Sequence, residues 1–375
     1  MKELAAYCPQ APDWSLDWQG LDASFAWVRA LAGCEQDPVW HAEGDVWTHT
    51  RMVLEELSAL AAWRALPEFE RLGVFLACLL HDVEKPSTTR TVDGRITARN
   101  HSKKGAVRAR RLLWELGAPF ELRELVCHLV LHHQVPFWCA TRPDGERLAS
   151  LVSWTARCDL LALVTEADGR GRRTADQQEL LDQIELFRAL CEELDCLQSE
   201  RPFPSPAQRV AWFRDPTRQP DSPVPPRPHC TVTVLSGLPA AGKDHWVERH
   251  GAGLPVVSPD ALRAQLGIAP TANQGAVVQA ARERAREHLR AGRDFVWNAT
   301  NLSRPLRAQV LDLIHAYGAR ARLVVVECAH ADWVARNRSR TAPIPQRSLE
   351  RMLARWQTPD RSEAEERLVV GEPQR

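Results

Sequence analysis

The stretch from Gly237 to Trp246 reads GLPAAGKDHW and has the Gly-x-x-x-x-Gly-Lys spacing of a phosphate-binding loop. Backbone N–H groups of such a loop surround phosphate oxygens, and Lys243 would meet the outer phosphates of a nucleotide. Gly237 and Gly242 are the two glycines of the motif. The motif normally continues with Ser or Thr, whose hydroxyl contacts Mg²⁺, but this chain has Asp244. Two interpretations stay open: a decayed site, or a carboxylate that is itself a Mg²⁺ ligand.

Polar residues that follow two later apolar runs could complete a site for phosphoryl transfer. Asp260 and Arg263 come after the run LPVVS, and Thr300 and Asn301 come after the run FVW. Because ligands bind at the carboxyl ends of parallel strands, these side chains are expected beside the loop. The carboxylate could accept the proton of an attacking hydroxyl, and the arginine could hold an acceptor phosphate bidentately. A structural alternative is a helix start, with Ser258-Pro259 as cap and first residue.

A run of arginines between residues 336 and 355 supplies positive charge to the same part of the chain. Arg336 and Arg340 are four residues apart and would share one helix face, so they could close over a triphosphate as a lid. Arg351 and Arg355 are better explained as part of a solvated basic helix.

A second group of residues that could do chemistry lies in the first half of the chain. The run LGVFLACLL is apolar on all sides, which is typical of a buried helix, and it ends in His81 and Asp82. A buried carboxylate beside an imidazole requires a counter-charge, and a metal ion is one common solution. Taken singly, each histidine has the alternative interpretation of a core residue. Further candidate ligands lie on other predicted helices: His49, His101, one of His132 or His133, and Asp168.

The elements that must position these residues divide the chain in two. Residues 1–200 show apolar positions at three- and four-residue spacing, which predicts an all-α domain. Residues 229–375 alternate short β-branched runs with helical stretches, which predicts an α/β domain with a parallel sheet. Between them, residues 201–228 contain nine of the 26 prolines. We expect this segment to be a semi-rigid linker without a regular helix or an inner strand.

Composition narrows the class of protein. The formal net charge is zero, so a polyanionic partner would have to be met by a local basic surface. No run of about 18 apolar residues is present, which predicts no membrane span, and the first residues do not read as a signal peptide. Ten cysteines are scattered without a C-x-x-C pair, which favours reduced thiols and a cytoplasmic location over a disulfide scaffold or a cysteine-based zinc site.

The order of the first-half residues (His, His-Asp, His, His, Asp) resembles the HD phosphohydrolase superfamily over about residues 40–175. The resemblance implies an all-helical domain that holds one or two divalent metals, which activate water against phosphoesters. Donors of these types suit transition metals such as Mn²⁺, Co²⁺ or Ni²⁺. Lys85 could stabilise charge that grows on a phosphoryl group, and Arg172 is a weaker candidate for the same role. The resemblance implies these metal or substrate ligands: His49, His81, Asp82, His101, one of His132 or His133, and Asp168.

Residues 231–370 resemble the 5′-hydroxyl polynucleotide kinases through the loop, a PD-x-x-R segment, TNL after the third strand, and R-N-x-x-R followed by PIP. The resemblance implies that Asp260 is the general base and that Arg263 binds the 3′ phosphate of the acceptor. It also implies that Arg336 and Arg340 hold the donor phosphates and that Thr300 and Asn301 help to seat the acceptor.

An HD domain followed by such a kinase looks like the bacterial HD-Pnk type of RNA end-healing enzyme. This resemblance implies hydrolysis of 2′,3′-cyclic phosphate and phosphate-monoester ends by one half, and phosphorylation of 5′-OH ends with ATP or GTP and Mg²⁺ by the other. RNA or DNA ends would be partners, and an RNA ligase would act next. Two alternatives stay open: a small-molecule kinase fused to a nucleotide phosphohydrolase, and a non-catalytic sensor gated by a nucleotide.

Overall fold

The computed structural model describes residues 1–225, 230–251, 253–269 and 271–371, which divide into two compact units, Met1–Pro202 and Phe203–Arg375. The last residues of the predicted linker, 226–228, lie outside the described residues. The unit boundary falls two residues into the proline-rich segment, so residues 203–225 of that segment belong to the second unit.

The first unit is helical, as its apolar periodicity predicts, with one short hairpin. The hairpin strands are β1 (Arg90–Val92) and β2 (Arg95–Thr97), which pair antiparallel. The helices are α1 (Lys2–Ala5), α2 (Trp18–Ser24), α3 (Ala26–Arg29), α4 (Val46–Ala59), α5 (Ala61–Arg64), α6 (Glu68–Leu80), α7 (Lys85–Thr88), α8 (His101–Glu115), α9 (Phe120–His132), α10 (Gly145–Ser153), α11 (Cys158–Arg170) and α12 (Gln177–Glu193).

Helix α6 runs through the core of this unit, because every residue from Gly73 to Leu80 is buried. The run LVSWTARCDLLALVTEAD has helical apolar spacing over its whole length, but it forms parts of two separate helices. Helix α10 ends at Ser153, and Arg157 is extended before α11 begins. Asp159 explains the new start, since its carboxylate lies in the first turn of α11 and accepts from the N–H of Leu160.

The second unit is built on a five-stranded, fully parallel sheet in the order β4-β5-β3-β6-β7. This confirms the predicted α/β class, although the periodicity predicts only the first four strands. The strands are β3 (Thr231–Ser236), β4 (Val256–Val257), β5 (Phe295–Trp297), β6 (Arg320–Val326) and β7 (Glu366–Val370). The helices are α13 (Pro206–Arg214), α14 (Lys243–His250), α15 (Pro259–Gln265), α16 (Gly275–Arg290), α17 (Arg304–Ala316), α18 (His330–Arg338) and α19 (Gln346–Leu353).

Helix α13 lies inside the segment predicted to lack a regular helix, so that prediction is wrong for residues 206–214. The prolines are unevenly placed, and Pro206 occupies the first turn, where a missing N–H is tolerated. The Ser205 hydroxyl caps the helix by accepting from the N–H of Gln208. Val210 and Trp212 are buried, so tertiary packing stabilises a helix that composition argues against.

Among the described residues, no single helix is long and apolar enough to cross a membrane; α10 and α11 reach the required length and hydropathy only when taken together, across a bend of 109°.

Candidate functional site

Five helices of the first unit bring six of the predicted residues to one buried place. His81 and Asp82 directly follow α6 at its carboxyl end, where the all-apolar helix holds them in the core. The other contributors are His49 on α4, His101 at the first position of α8, His133 directly after α9, and Asp168 on α11.

His132 lies apart from this cluster. Its ring stacks on that of His128, with centroids 6.4 Å apart and an angle of 10° between the planes. The structure therefore places His133, and not His132, beside the other histidines. His132 and His133 are adjacent, so their side chains point in different directions from the helix axis. Which of them faces the cluster depends on how α9 packs against its neighbours.

The donor atoms of the cluster lie at distances that a shared cation would bridge. Nε2 of His81 lies 3.3 Å from Nε2 of His49 and 3.1 Å from Oδ2 of Asp82. Nε2 of His101 lies 3.4 Å from Nε2 of His133 and 3.4 Å from Oδ1 of Asp82. Asp82 thus belongs to two overlapping groups of possible metal ligands, one on each side of its carboxylate.

The backbone sets the tautomers of the cluster histidines. Nδ1 of His81 lies 2.7 Å from the Cys78 carbonyl, and the Nδ1 atoms of His101 and His133 contact the carbonyls of Ala98 and Val130 at 2.7 and 2.8 Å. A carbonyl only accepts, so each Nδ1 donates and each neutral ring keeps its lone pair on Nε2. Two lone pairs facing each other at 3.3–3.4 Å repel unless a proton or a metal ion lies between them.

Glu43 is a part of the site that sequence reasoning missed. Its Oε1 lies 2.8 Å from Nδ1 of His49 and 2.8 Å from Nδ1 of His41, and its Oε2 accepts from the N–H of Arg173 at 2.9 Å. Burial by itself would raise the pKa of Glu43, but the hydrogen bonds from both histidines hold this pKa well below its usual range. The carboxylate therefore orients His49 as the backbone carbonyls orient the other rings. No spacing rule marks it, since it lies in a loop.

Cationic side chains offset the two buried carboxylates of the cluster. Burial favours the neutral form of Asp82, but His81 and Lys85 hold its pKa well below the usual range. Burial also opposes the charged form of Asp168, yet Arg172 keeps its pKa low through two hydrogen bonds of 2.9 and 2.7 Å. Asp82 in turn raises the pKa of His81 against the effect of burial, so the negative charge attracts a proton where a metal could bind.

The residues present fit a divalent metal. Both carboxylate oxygens of Asp82 are buried and lack a hydrogen bond of normal geometry, although Lys85 Nζ lies 2.7 Å from Oδ2. Burial lowers the pKa of His133 to about 3 and also lowers that of His101, which keeps both rings neutral and able to ligate. Nitrogen and carboxylate donors of this kind suit first-row transition metals.

A cavity of about 490 Å³ opens onto the cluster. His101 of the cluster lines it, and its charged lining residues are the cations Lys85 and Arg172 and the carboxylates Glu35, Asp37 and Asp176. Its other walls include three aromatic side chains that could contact an organic group: Trp40, Phe137 and Trp138.

The phosphate-binding loop has the geometry that its sequence predicts. Strand β3 ends at Ser236, the loop follows, and α14 begins at Lys243. Gly242 adopts a φ of 112°, which favours glycine, and a side chain at Gly237 would collide with the Val326 carbonyl at 2.2 Å. Lys243 Nζ donates to the carbonyls of Gly237 and Leu238 at 3.0 Å each, and burial lowers its pKa to about 8.

Asp244 is engaged with a residue on the neighbouring strand end. Nδ2 of Asn298, directly after β5, donates to Oδ1 of Asp244 at 2.7 Å. In many phosphate-loop enzymes, Mg²⁺ is held by a hydroxyl from the loop and an aspartate after another strand. In this chain the carboxylate, Asp244, lies in the loop, and a neutral amide, Asn298, lies at the strand end. The pair therefore keeps one negative charge, but the charged and the neutral residue have exchanged positions.

The predicted acceptor residues differ in the solvent exposure and in the hydrogen-bond partners of their side chains. Asp260 is 76% exposed and pairs with Nη1 of Arg263 at 2.5 Å. Ser258 caps α15 and Pro259 is its first residue, as predicted. Asn301 is buried, and its Nδ2 donates to the Leu235 carbonyl at 2.7 Å, so it holds the strand ends together.

Thr300 contributes its backbone to the loop, because its carbonyl accepts from the N–H of Gly237 at 2.9 Å; its side chain is partly exposed. Arg307 is a second residue missed from the sequence. It is buried, forms a bidentate pair with Glu363 at 2.8 and 2.7 Å, and donates to the Asn301 carbonyl at 3.0 Å. It thereby fixes the segment that follows β5.

The predicted arginine lid is only partly helical. Arg336 lies on α18, and its Nη1 donates to the Ala241 carbonyl of the loop at 3.1 Å. Helix α18 ends at Arg338, so Arg340 does not share a helix face with Arg336. Arg340 still lies close enough to Lys243 to lower its pKa, which places both arginines beside the phosphate-binding loop.

Two family models match the chain. The model described as "HD domain" matches residues 46–169, and the model described as "AAA domain" matches residues 232–359. The chain therefore carries an HD-type helical domain followed by a P-loop kinase-like domain with a five-stranded parallel sheet. HD domains bind divalent metals, and P-loop kinases use a nucleotide with Mg²⁺.

Curated relatives share part of the chain. A "Multifunctional CCA protein" from Psychromonas ingrahamii is 32% identical over 117 residues, which is 31% of this chain and 26% of that protein. A protein of the same name from Hahella chejuensis is 28% identical over 189 residues, or 49% of this chain and 42% of that protein. The chain thus spans less than half the length of either relative.

Among solved structures, a protein from Chloroflexus aurantiacus described as a kinase is 17% identical, with a TM-score of 0.33, and covers 38% of this chain and 85% of its own. A sugar kinase from Janibacter is 20% identical, with a TM-score of 0.29, and covers 38% of this chain and 86% of its own.

Proposed function

We propose that this protein heals broken RNA ends: the first unit removes or opens a terminal phosphate, and the second unit adds a phosphate to a 5′-hydroxyl. The observation that carries the proposal is the presence in one chain of two phosphate-handling sites with opposite chemistry. Breakage by many nucleases leaves a 2′,3′-cyclic phosphate and a 5′-OH, and a ligase needs both ends corrected. On this proposal the protein would be an enzyme of the bacterial HD-Pnk type.

In the first unit, His49, His81, Asp82 and Asp168 would hold one divalent metal, and His101 and His133 would hold a second metal or contact the phosphate. Bound metal would supply Lewis-acid activation of water and phosphorus, and Mn²⁺, Co²⁺ and Ni²⁺ are the candidates. Lys85 and Arg172 stabilise negative charge on the phosphoryl oxygens from the wall of the cavity. The aromatic residues of the cavity, Trp40, Phe137 and Trp138, would stack on the terminal base.

In the second unit, Lys243, Arg336 and Arg340 would hold the phosphates of ATP or GTP, and the backbone of Gly237 and Gly242 would line the loop around them. Lys243 now donates to two loop carbonyls, and a nucleotide would replace these contacts. Mg²⁺ would neutralise charge on the transferred phosphoryl group.

Asp260 would accept the proton of the attacking 5′-hydroxyl, and Arg263 would bind the phosphate on the 3′ side of that nucleoside. At present the two side chains form an ion pair with each other. The exposure of Asp260 suits a polymeric acceptor, which must approach from the surface. Thr300 would help to seat this acceptor, while Asn301 supports the loop that presents it.

The test uses one RNA duplex break with a 2′,3′-cyclic phosphate and a 5′-OH, together with radiolabelled ATP or GTP. We expect label transfer to the 5′ end and metal-dependent loss of the cyclic phosphate. Asp260→Asn should abolish transfer with nucleotide binding intact, and Asp82→Asn should abolish only the hydrolysis. Each variant is therefore the control for the other.

Competition distinguishes the small-molecule alternative. A polynucleotide kinase prefers a 3′-phosphorylated acceptor to a free nucleoside, and Arg263→Gln should remove this preference. Equal phosphorylation of both acceptors by the unaltered protein would favour a metabolite kinase. Nucleotide binding without turnover, with and without RNA, would favour a sensor.

A further inference from the structure

Three cysteines outside the histidine cluster meet in the core of the first unit. Cys158 is the first residue of α11, Cys191 lies on the last turn of α12, and Cys196 lies just beyond that helix. Their sulfur atoms all lie within 4.8 Å of one another, and all three side chains are fully buried at 0% exposure. None of them forms a disulfide.

The end of α12 is shaped to bring two of these thiols together. Asp195 adopts a left-handed conformation with φ of 51°, and the N–H of Cys196 donates to the Cys191 carbonyl at 2.8 Å. The chain therefore folds back over the last turn of the helix, as at many helix ends. Sequence spacing hides this arrangement, because Cys191 and Cys196 are separated by four residues and Cys158 lies much earlier.

The buried side chain of Arg201 lies close enough to Cys196 to act on it electrostatically, so its positive charge would offset part of the negative charge of thiolate ligands. Arg201 is held in place by the Ser150 hydroxyl at 2.9 Å and by Glu146 at 2.6 Å.

We propose that Cys158, Cys191 and Cys196 bind a structural zinc ion, separate from the metal site of the histidine cluster. Zinc favours thiolate ligands in closed tetrahedral sites, whereas the histidine cluster offers only nitrogen and oxygen. Cys139 is also fully buried in this unit, but its Sγ donates to the Gly145 carbonyl at 3.3 Å, so it would have to leave this contact to become a fourth ligand. The ion would join the start of α11, which carries Asp168, to the end of α12.

The test is X-ray absorption spectroscopy of the full-length chain, purified with reductant and without chelator, at one added zinc equivalent and at saturation. Sulfur ligands give a zinc distance of about 2.3 Å, whereas histidine nitrogens give about 2.0–2.1 Å, so the two sites are told apart. We expect three or four sulfur ligands per tightly bound zinc. Cys191→Ser should lose this signal, while Cys127→Ser, an equally buried thiol of the same unit, should retain it.

Wild-type protein alone can overturn the proposal, so the outcome does not depend on the folding of a variant. A tightly bound zinc with only nitrogen and oxygen ligands would refute it. So would a disulfide between any two of the three cysteines, found by mass spectrometry of unreduced peptides from protein that was purified with reductant. As a second readout, Co²⁺ bound to the wild-type chain should show thiolate-to-metal charge-transfer absorption, and Asp82→Asn should leave this absorption unchanged.

Discussion

The substitution Glu43→Gln tests whether the loop carboxylate orients the metal site. Oε1 of Glu43 accepts from Nδ1 of His41 at 2.8 Å and lies 2.8 Å from Nδ1 of His49, and Oε2 accepts from the N–H of Arg173 at 2.9 Å. Glutamine has one carbonyl oxygen and one NH₂ group in nearly the same volume. Whichever way the amide turns, its NH₂ group faces at least one donor, so at least one hydrogen bond to an ionised acceptor becomes a repulsive contact.

Hydrogen bonds to charged groups contribute about 1.5–3 kcal/mol each. Loss of a carboxylate behind a metal-binding histidine weakens metal affinity about 10–100-fold, which corresponds to about 1.4–2.7 kcal/mol. We therefore expect Mn²⁺ to bind Glu43→Gln about 10–100-fold more weakly than the wild type. Phosphodiesterase activity should return at high Mn²⁺, because the ligands themselves remain.

The assay is Mn²⁺ titration of metal-free protein by electron paramagnetic resonance, with far-ultraviolet circular dichroism to verify folding. Glu35→Gln is the matched control, since Glu35 lines the cavity that opens onto the cluster, is exposed, and undergoes the same loss of charge. Equal Mn²⁺ affinity in Glu43→Gln and Glu35→Gln, within about twofold, would refute the role assigned to Glu43.

Three other predictions concern the second unit. Because burial lowers the pKa of Lys243 to about 8, this side chain is charged at pH 7 and mostly neutral at pH 9. ATP affinity, measured by fluorescence titration, should therefore fall about tenfold between pH 7 and pH 9. Lys243→Arg should show a weaker pH dependence, and a wild-type affinity that does not change with pH would contradict the role assigned to Lys243. Asp244→Ser should slow phosphoryl transfer about tenfold or more. Adding Asn298→Asp should restore the rate, because it places a carboxylate at the strand end, as in many phosphate-loop enzymes. Faster transfer by the Asp244→Ser single variant would show that Asp244 is merely tolerated. Arg307→Met should lower the free energy of unfolding in urea by about 3–5 kcal/mol, since Glu363 is left buried and unpaired. The double variant with Glu363→Leu should recover most of that loss, and an unchanged urea midpoint in the single variant would count against the buried pair.

Much of the architecture follows from local pattern. The all-apolar run before His81 requires a buried helix, and the β-branched runs separated by helical stretches require a parallel sheet. The spacing of the loop glycines and Lys243 predicts the local geometry, because this motif requires a strand, a tight turn and the start of a helix in succession. Helix α13 is where this reasoning fails, since proline content predicts the absence of a helix and the burial of Val210 and Trp212 outweighs it.

The sequence by itself determined which residue types are available for two phosphate chemistries and the order of the elements that carry them. The tertiary structure decided which of them meet. It selected His133 over His132, brought Glu43 behind His49, and paired Asp244 with Asn298. It also gathered three cysteines whose spacing predicts no metal site. The physical reason is that periodicity specifies which face of a helix is buried, whereas hydrogen bonds and ion pairs between distant segments depend on how those helices and strand ends pack.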